Sequence, residues 1–454
     1  MKTIFLTAFN PFVTRNILET DVFKILNRRN GLRLVVFCPD YKAGYFKENF
    51  ESGNTVIEGI KTPTISRLDV IFSYIASSLV NTKTRYIHQR RELYQDHNYF
   101  KFLTSRFLAR MSYWNLVKKA VRFLDNLTIS NEVVETFFRK YQPDILFSGD
   151  IFHSDDIKFL VTAKNRGVKT IGMVRSWDNI TNKGFFRVRP DKLLVNNEII
   201  KAEAIKYGAI KEKNIVVVGM PQFDYYLNEK RSSREEFFSR INLDPKRRLI
   251  LFSPHGNRFH KTDWHIMQML KEARLKGELL EDVQFLVRFP PNDDVALGDF
   301  IPDESFHIDR PARLFESGSY RDGELDKLAM VHLADSLYYS DVVIAYNSSL
   351  IIDAAAFDKP AIGVAFDGWA KSADVYRSVA RFMEYDHTQY LLKTGGLTVV
   401  RSRTDLISNL VKYLKDPSIN KNGRQKILET QCWKYDGRAG ERIADFILGQ
   451  VGKI

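Results

Sequence analysis

The sequence predicts an α/β protein built of two doubly wound parallel-sheet domains facing a cleft. Three observations predict it. Short apolar, β-rich runs alternate with helix-spaced segments in both halves of the chain, the pattern of parallel sheets with crossover helices. A polar, charged stretch, Asn228–Arg248, separates the two alternations and reads as a linker. The length, 454 residues, exceeds what one ordinary core organises.

The elements follow in order. Lys2–Ala8 and Leu32–Cys38 read as strands around a helical segment, Ile17–Asn27, with Thr55–Ile60 as a third strand. Arg67–Phe138 is helical in pattern, aromatic and basic, and reads as an insert at about 67–138. From Lys83 to Arg122 it carries ten Lys or Arg against two acids, Glu92 and Asp96. Phe107, Met111, Trp114, Val117, Val121 and Leu124 recur at three- or four-residue steps, with Lys118, Lys119 and Arg122 off that stripe. The expectation is one basic amphipathic helix with an aromatic edge. Strands then alternate with helices again: Asp144–Ser148, Val168–Val174, Lys192–Asn196 and Asn214–Val218 in the first half. Leu249–Ser253, Val283–Arg288, Phe306–Asp309, Val342–Ala345 and Ala361–Val364 follow in the second. The end of the chain, from Asp405, reads as helical.

Composition narrows the class. Hydrophobic residues make up 44% and charged residues 27%, which is globular. Lys plus Arg exceed Asp plus Glu by 68 − 55 = 13, which favours an anionic partner: a phosphorylated substrate, a membrane surface or nucleic acid. Cys38 and Cys432 stand far apart, so no disulfide framework or zinc site is read, and a reducing cytoplasm is expected. Met1–Ala8 reads as a strand and not a signal peptide. No run approaches the ~20 apolar residues of a membrane-spanning helix, so any membrane contact is expected to be peripheral.

Ligands of open parallel sheets bind outside the carboxyl ends of strands, which singles out the loops there. In the second half these are Ser253-Pro254-His255-Gly256-Asn257-Arg258, then Arg288-Phe289-Pro290-Pro291, then Tyr346-Asn347-Ser348-Ser349 running into a helix through Asp353. Gly256 permits close backbone approach, Arg258 and Arg288 offer cations, and small hydroxyls at a helix start suit an anion. Taken alone, Asn347 or Ser348 reads as a helix cap. Three such loops in one half favour phosphate.

In the first half the loops hold Asn10, then Asp150 and His153, then Trp177 and Asp178. Asp150 or Asp178 could act as general base on an acceptor hydroxyl. His153, His255 and His260 each read as structural when taken singly. The dinucleotide fingerprint GxGxxG and the HExxH, GxSxG, Walker A and kinase signatures are absent. Asp322, Glu324 and Asp326 lack the spacing of a calcium loop, and no metal site is expected.

In their order these loops resemble GT-B glycosyltransferases of bacterial surface-polysaccharide synthesis and, more distantly, CDP-glycerol glycerophosphotransferases. Gly219-Met220-Pro221-Gln222-Phe223-Asp224 is similar to the second family's GxPRxD segment, and Ser253–Arg258 to its PTWRD-like loop. Asp341–Asp353 is similar to its DxxITDYSSxxFD segment, followed by Lys359-Pro360-Ala361-Ile362. In that family the paired serines contact the donor phosphates. Its HGTP histidine has no counterpart at Ser176–Asn179, and its KxHP histidine falls at Pro290.

The resemblance implies two Rossmann-like domains. Residues 1–227 would bind the acceptor, 228–435 the nucleotide-sugar donor, and 436–454 would form a helix crossing back to the first domain. It implies donor contacts from Ser253, His255, Gly256, Arg258, Arg288, Asn347, Ser348, Ser349 and Asp353. Acceptor contacts would come from Asn10, His153 and Trp177. The missing histidines favour transfer of a sugar from a nucleotide-activated donor to a hydroxyl of a glycan or lipid-linked acceptor. No cofactor or metal is expected, since the nucleotide sugar is itself a substrate. Glycerol-phosphate-type polyol-phosphate transfer and nucleotide-sugar 2-epimerisation are the alternatives on this scaffold. The basic aromatic insert suggests an anionic membrane surface as a further partner, hence a peripheral place on the inner membrane face. Lys and Arg are spread evenly and no nucleic-acid motif occurs, so nucleic acid is not expected as a partner.

Overall fold

The computed structural model describes residues 1–61, 66–129, 132–279, 282–315, 323–370 and 374–452. The chain divides into two compact units, Met1–Leu227 with Cys432–Ile454, and Asn228–Gln431.

Unit 1 is organised by a seven-stranded sheet. Its strands are β1 (Lys2–Thr7), β2 (Leu32–Pro39), β3 (Thr55–Ile60), β4 (Ile145–Ser148), β5 (Lys169–Met173), β6 (Lys192–Val195) and β7 (Ile215–Val217). The order is β3-β2-β1-β4-β5-β6-β7, and every pairing is parallel. Parallel strands are covered on both faces, so they read as continuous apolar runs and not as alternation. In β2 every residue but Arg33 is buried. The core around β1 is aromatic: Phe5 meets Phe37 at 4.7 Å and Phe138 at 5.0 Å, edge to face. The crossover helix α1 (Asp21–Asn27) starts where the Thr20 hydroxyl accepts the Val22 N–H.

The insert between β3 and β4 differs from its expectation. It forms separate helices, among them α2 (Arg67–Ser78), α3 (Lys83–Asp96), α4 (Tyr99–Met111) and α5 (Asn115–Thr128). The apolar stripe therefore crosses a break at Ser112–Trp114 and divides. Met111, Val117 and Val121 pack on Ala76, Leu79, Val80 and Phe185, whereas Phe107, Trp114 and Leu124 are exposed. Polar residues of α5 are held inward beside these valines. Lys118 donates to the Tyr207 carbonyl at 2.9 Å, and Arg122 to the carbonyls of Phe186 and Gly208 at 2.7 Å each. Asp125 takes a two-pronged grip from Arg187, at 2.8 Å for both bonds. Leu116, Phe123 and Leu127, 65–77% exposed, face outward. Lys118 and Arg122 turn inward because backbone carbonyls around Tyr207 and Gly208 supply acceptors that no apolar residue could use.

Unit 2 holds a six-stranded, all-parallel sheet of β8 (Arg248–Ser253), β9 (Val283–Arg288), β10 (Phe306–Asp309), β11 (Val342–Ala345), β12 (Ala361–Val364) and β13 (Leu397–Val400). Its order is β10-β9-β8-β11-β12-β13. The sequence reading places no strand at Leu397–Val400, a four-residue run at the sheet edge. Helices α6 (Asp263–Leu275), α7 (Leu350–Ala356) and α8 (Asp386–Leu392) follow β8, β11 and β12. Both sheets are Rossmann-like doubly wound layers, as the sequence predicts. Asp322 lies outside the described residues. Among the described residues no cluster of His, Cys, Asp or Glu suited to a metal ion is found, and no helix is long and apolar enough to cross a membrane.

The last helix, α9 (Ala439–Val451), belongs to unit 1 and packs on α1. Buried Asp224 accepts the N–H groups of Ala439 and Gly440, at 3.1 and 2.6 Å, at the start of the helix. A Cβ at Gly440 would lie 3.2 Å from the Asp21 Cβ and the Val22 nitrogen, so glycine sets how closely the two helices approach.

Candidate functional site

In a doubly wound sheet the crevice for ligand opens where strand order reverses. Unit 1 reverses between β1 and β4, whose last residues, Thr7 and Ser148, are register partners. The loops after these strands carry Asn10, Asp150 and His153. Asn10 accepts the Phe12 N–H at 3.0 Å and so caps the turn that opens at Pro11. Asp150 is fully buried and pairs with Arg175 at 2.9 Å and Lys183 at 3.6 Å. Burial opposes its charge, yet the cations of Lys183 and Arg175 hold its carboxyl far below the usual carboxylate range. A carboxylate sealed from solvent and paired with two cations does not fit the general base expected of it. Asp150 instead orders the cations of the next loop.

His153 caps the helix Ser154–Asn165, its Nδ1 accepting the Asp155 N–H at 3.3 Å, and stacks on Phe9. Burial lowers its pKa, so the ring is neutral near pH 7. With Nδ1 accepting, Nε2 carries the ring proton, which suits donation to an acceptor group. Trp177 is buried. Asp178 is half-buried and collects the Ser176 hydroxyl at 2.6 Å and the amides of Asn179 and Asn182 at 3.2 and 3.3 Å.

One residue here escapes the sequence reading. Asp156 is fully buried, accepts the hydroxyls of Thr7 and Ser148, and lies 3.7 Å from the His153 ring. Burial, with the charge of Asp150 added, pushes it up to about 8. The available signal is its place three residues after a capping histidine.

Unit 2 reverses between β8 and β11, and Ser253 and Ala345 are partners at their ends. The loops Ser253–Arg258 and Tyr346–Ser349 are thus neighbours, with the His255 ring stacked over Tyr346 at 5.6 Å. Ser253 is half-buried and ends β8. Gly256 has φ +99°, and a Cβ there would lie 2.5 Å from the Asp293 carboxylate. The N–H groups of His255 and Gly256 are taken, at 3.0 Å each, by Asp263 at the head of α6, a residue the sequence reading passes over. Burial pushes Asp263 up to about 6 despite those donors. Arg258 is exposed and lies over the Phe259 ring. Arg288 is buried and paired with Asp309, which His332 also approaches at 3.2 Å. That ion pair fastens β9 to β10, so Arg288 is not brought to the serine loop with an open charge, contrary to expectation.

The serine loop is built from further along the chain. The Asn347 amide nitrogen meets His387 at 2.9 Å, and its oxygen accepts the Thr388 hydroxyl at 2.9 Å, both partners being buried in α8. Asn347 is therefore a brace and caps nothing. The Ser348 hydroxyl accepts the Leu350 N–H at 3.2 Å. Ser349 stands at the cap position of α7, yet its hydroxyl makes no cap bond. Asp353 is buried within α7. The result is a held loop with two half-buried serines, one of which makes no cap bond, and an adjoining loop that carries an exposed guanidinium.

Two Rossmann-like parallel-sheet domains, one with hydroxyls presented at its switch point, define a protein of the GT-B class. The sequence model of the CDP-glycerol:poly(glycerophosphate) glycerophosphotransferase family matches residues 168–449, and the chain belongs to this family of transferases. No curated protein matches it in sequence. Among solved structures it is similar to S. aureus MnaA with UDP, at 13% identity and TM-score 0.57, covering 100% of this chain and 98% of that one. It is also similar to the UDP-GlcNAc 2-epimerase of Neisseria meningitidis bound to UDP-GlcNAc, at 11% identity and TM-score 0.55, covering 99% and 100%. A variant of the wall teichoic acid polymerase TagF aligns at 12% identity and TM-score 0.51, covering 99% and 89%. At such identities the likeness is one of fold.

Proposed function

We propose that this transferase moves a sugar from a nucleotide-activated donor to a hydroxyl of a lipid-linked surface glycan. The observation that carries the reading is the Ser349 hydroxyl, which makes no cap bond, beside Ser348, at the carboxyl end of β11 in the part of the chain that the family model covers. The donor diphosphate sits on Ser348 and Ser349. Asn347, braced by His387 and Thr388, keeps the loop in place before the donor arrives. Arg258 meets the charge that develops on the leaving nucleotide, and no metal is needed for that neutralisation. His153 and Asn10 orient the acceptor, and Asp178, the half-buried acid of the unit 1 loops, takes its proton.

A donor panel tests this. UDP-, GDP-, CMP-, CDP- and dTDP-sugars are offered alongside CDP-glycerol, with the acceptor's mass gain as readout. Gain of a sugar mass is expected. Gain of glycerol phosphate would replace it with the second reading, glycerophosphate transfer, which family membership favours. Conversion of a nucleotide sugar in the absence of acceptor would indicate epimerisation.

The reading extends to location. The outward row of α5 and the neighbouring Phe100, Leu103 and Phe107 of α4 are exposed, and His97–Leu124 contains no acid. An apolar face set among cations such as Arg110 and Lys119 matches an anionic lipid surface. Co-sedimentation with phosphatidylglycerol vesicles is the check. Unchanged binding of a Leu116→Ser, Phe123→Ser variant would remove the membrane role.

A further inference from the structure

A second cationic feature lies at the opposite end of the unit 1 sheet. Arg187–Asp191 leads into β6, and Ile210–Asn214 into β7, so both segments meet at the amino ends of these strands. With Arg122 and Asn126 of α5 and Lys164 they line a cavity of about 600 Å³. Six cations face it, Arg122, Lys164, Arg187, Arg189, Lys211 and Lys213, against one acid, Asp191.

Two of the six are neutralised. Arg187 pairs with Asp125 and Asp69, and Lys164 with Asp191 at 3.1 Å. Among the described residues no carboxylate pairs with Arg122, Arg189, Lys211 or Lys213. Arg122 is the telling one. It is 6% exposed and lies 4.8 Å over the Phe185 ring; its Nε and Nη2 are spent on carbonyls, while its Nη1 is buried and finds no hydrogen-bond partner among the described residues. Burial, and then the neighbouring Arg189, depress its pKa to about 9. A guanidinium buried beside another cation is costly unless an anion completes it.

We propose that this cavity is a binding site for a phosphate-bearing anion of two or more negative charges, separate from the serine loop of unit 2. Guanidinium groups match phosphate oxygens in two-pronged fashion, and the two lysines act as point charges at the rim. The lining has no aromatic residue on which a base or a sugar ring would stack, so the ligand is a compact diphosphate or phosphodiester. Such a group belongs either to a soluble phosphate compound or to a phospholipid headgroup.

The test is calorimetric titration of the full-length protein with inorganic pyrophosphate and with glycerophosphoglycerol, a phosphodiester headgroup. Three variants are compared with the unaltered chain. Lys211→Ala with Lys213→Ala alters only exposed side chains, Arg189→Ala removes the second guanidinium, and Ser348→Ala with Ser349→Ala addresses the serine loop. Whatever binding the serine loop adds, a site is expected whose affinity falls at least tenfold in each of the first two variants, weakens with added salt and is unmoved in the third. Pyrophosphate preference assigns a soluble source, and headgroup preference a lipid one. Equal binding by the first two variants and the unaltered chain, binding lost only with the serines, or no binding of either probe would overturn the proposal.

Discussion

The loops after β4 and β5 in unit 1 and the loop after β11 in unit 2 treat charge in opposite ways. In unit 1, Asp150, Arg175 and Lys183 are spent on one another. In unit 2 the loop after β11 carries no charge at all, and its Ser349 hydroxyl makes no cap bond among the described residues. The lesson is that a charged residue at a strand end is weak evidence for ligand contact, because a buried charge must first find a partner within the fold. A neutral hydroxyl carries no such obligation and can be left for the ligand.

The sharpest way to break this comparison is in unit 1. Asp150→Ala leaves Arg175 and Lys183 without their counter-charge and is expected to cost about 3–5 kcal/mol of stability. Chemical denaturation measures it, and a loss of activity with full stability would return Asp150 to catalysis. Next comes unit 2: Ser348→Ala with Ser349→Ala is expected to weaken donor binding by about 2–4 kcal/mol with the fold unchanged, since two hydrogen bonds to a charged group are lost. Unaltered donor affinity by titration would remove the serine loop from the site. Asn347→Ala should cost about 1–2 kcal/mol of the same affinity, through a loosened loop and not a lost contact.

A pH series adds a smaller effect on unit 1. The Asp156 carboxyl is raised to about 8 in the fold, against an ordinary value near 3.8. Between those values the folded chain holds a proton that the unfolded chain has released, so this residue makes stability fall as pH rises from 4 towards 8. Asp156→Asn should flatten that slope in a thermal melt. An unchanged slope would mean that Asp156 is ionised in the fold. Smallest of all, Arg288→Lys should lower stability by about 1 kcal/mol, because lysine cannot reproduce the guanidinium fork, and leave donor affinity untouched.

All the sheet strands but β13 were legible because parallel strands are wrapped on both faces and so write themselves as unbroken apolar runs. The loops after β8 and β11 were legible from the strand-end rule, and register then made them neighbours. What stayed hidden is which partner each polar group takes. Nothing near Arg288 in sequence announces Asp309, and nothing near Asn347 announces His387 and Thr388, some forty residues on. The missing signal for Asp263 was weaker but present: an acid heading the helix that follows a glycine turn. The insert misled for a different reason. Its three-to-four-residue rhythm runs on through Ser112–Trp114, where the backbone does not, and sequence rhythm alone does not say which face of a helix meets the core.

The bonds from Asp224 to Ala439 and Gly440 also dictate the order in which the molecule can be finished. Residues 1–227 of unit 1 leave the ribosome before unit 2, yet the helix that covers α1 is made only after all of Asn228–Gln431. Throughout synthesis of the second unit, the apolar bed awaiting Ile443, Ala444 and Ile447 stays open to solvent. Of the two units, the one begun earlier is thus completed later, and a nascent chain paused within Asn228–Gln431 carries an unfinished unit 1.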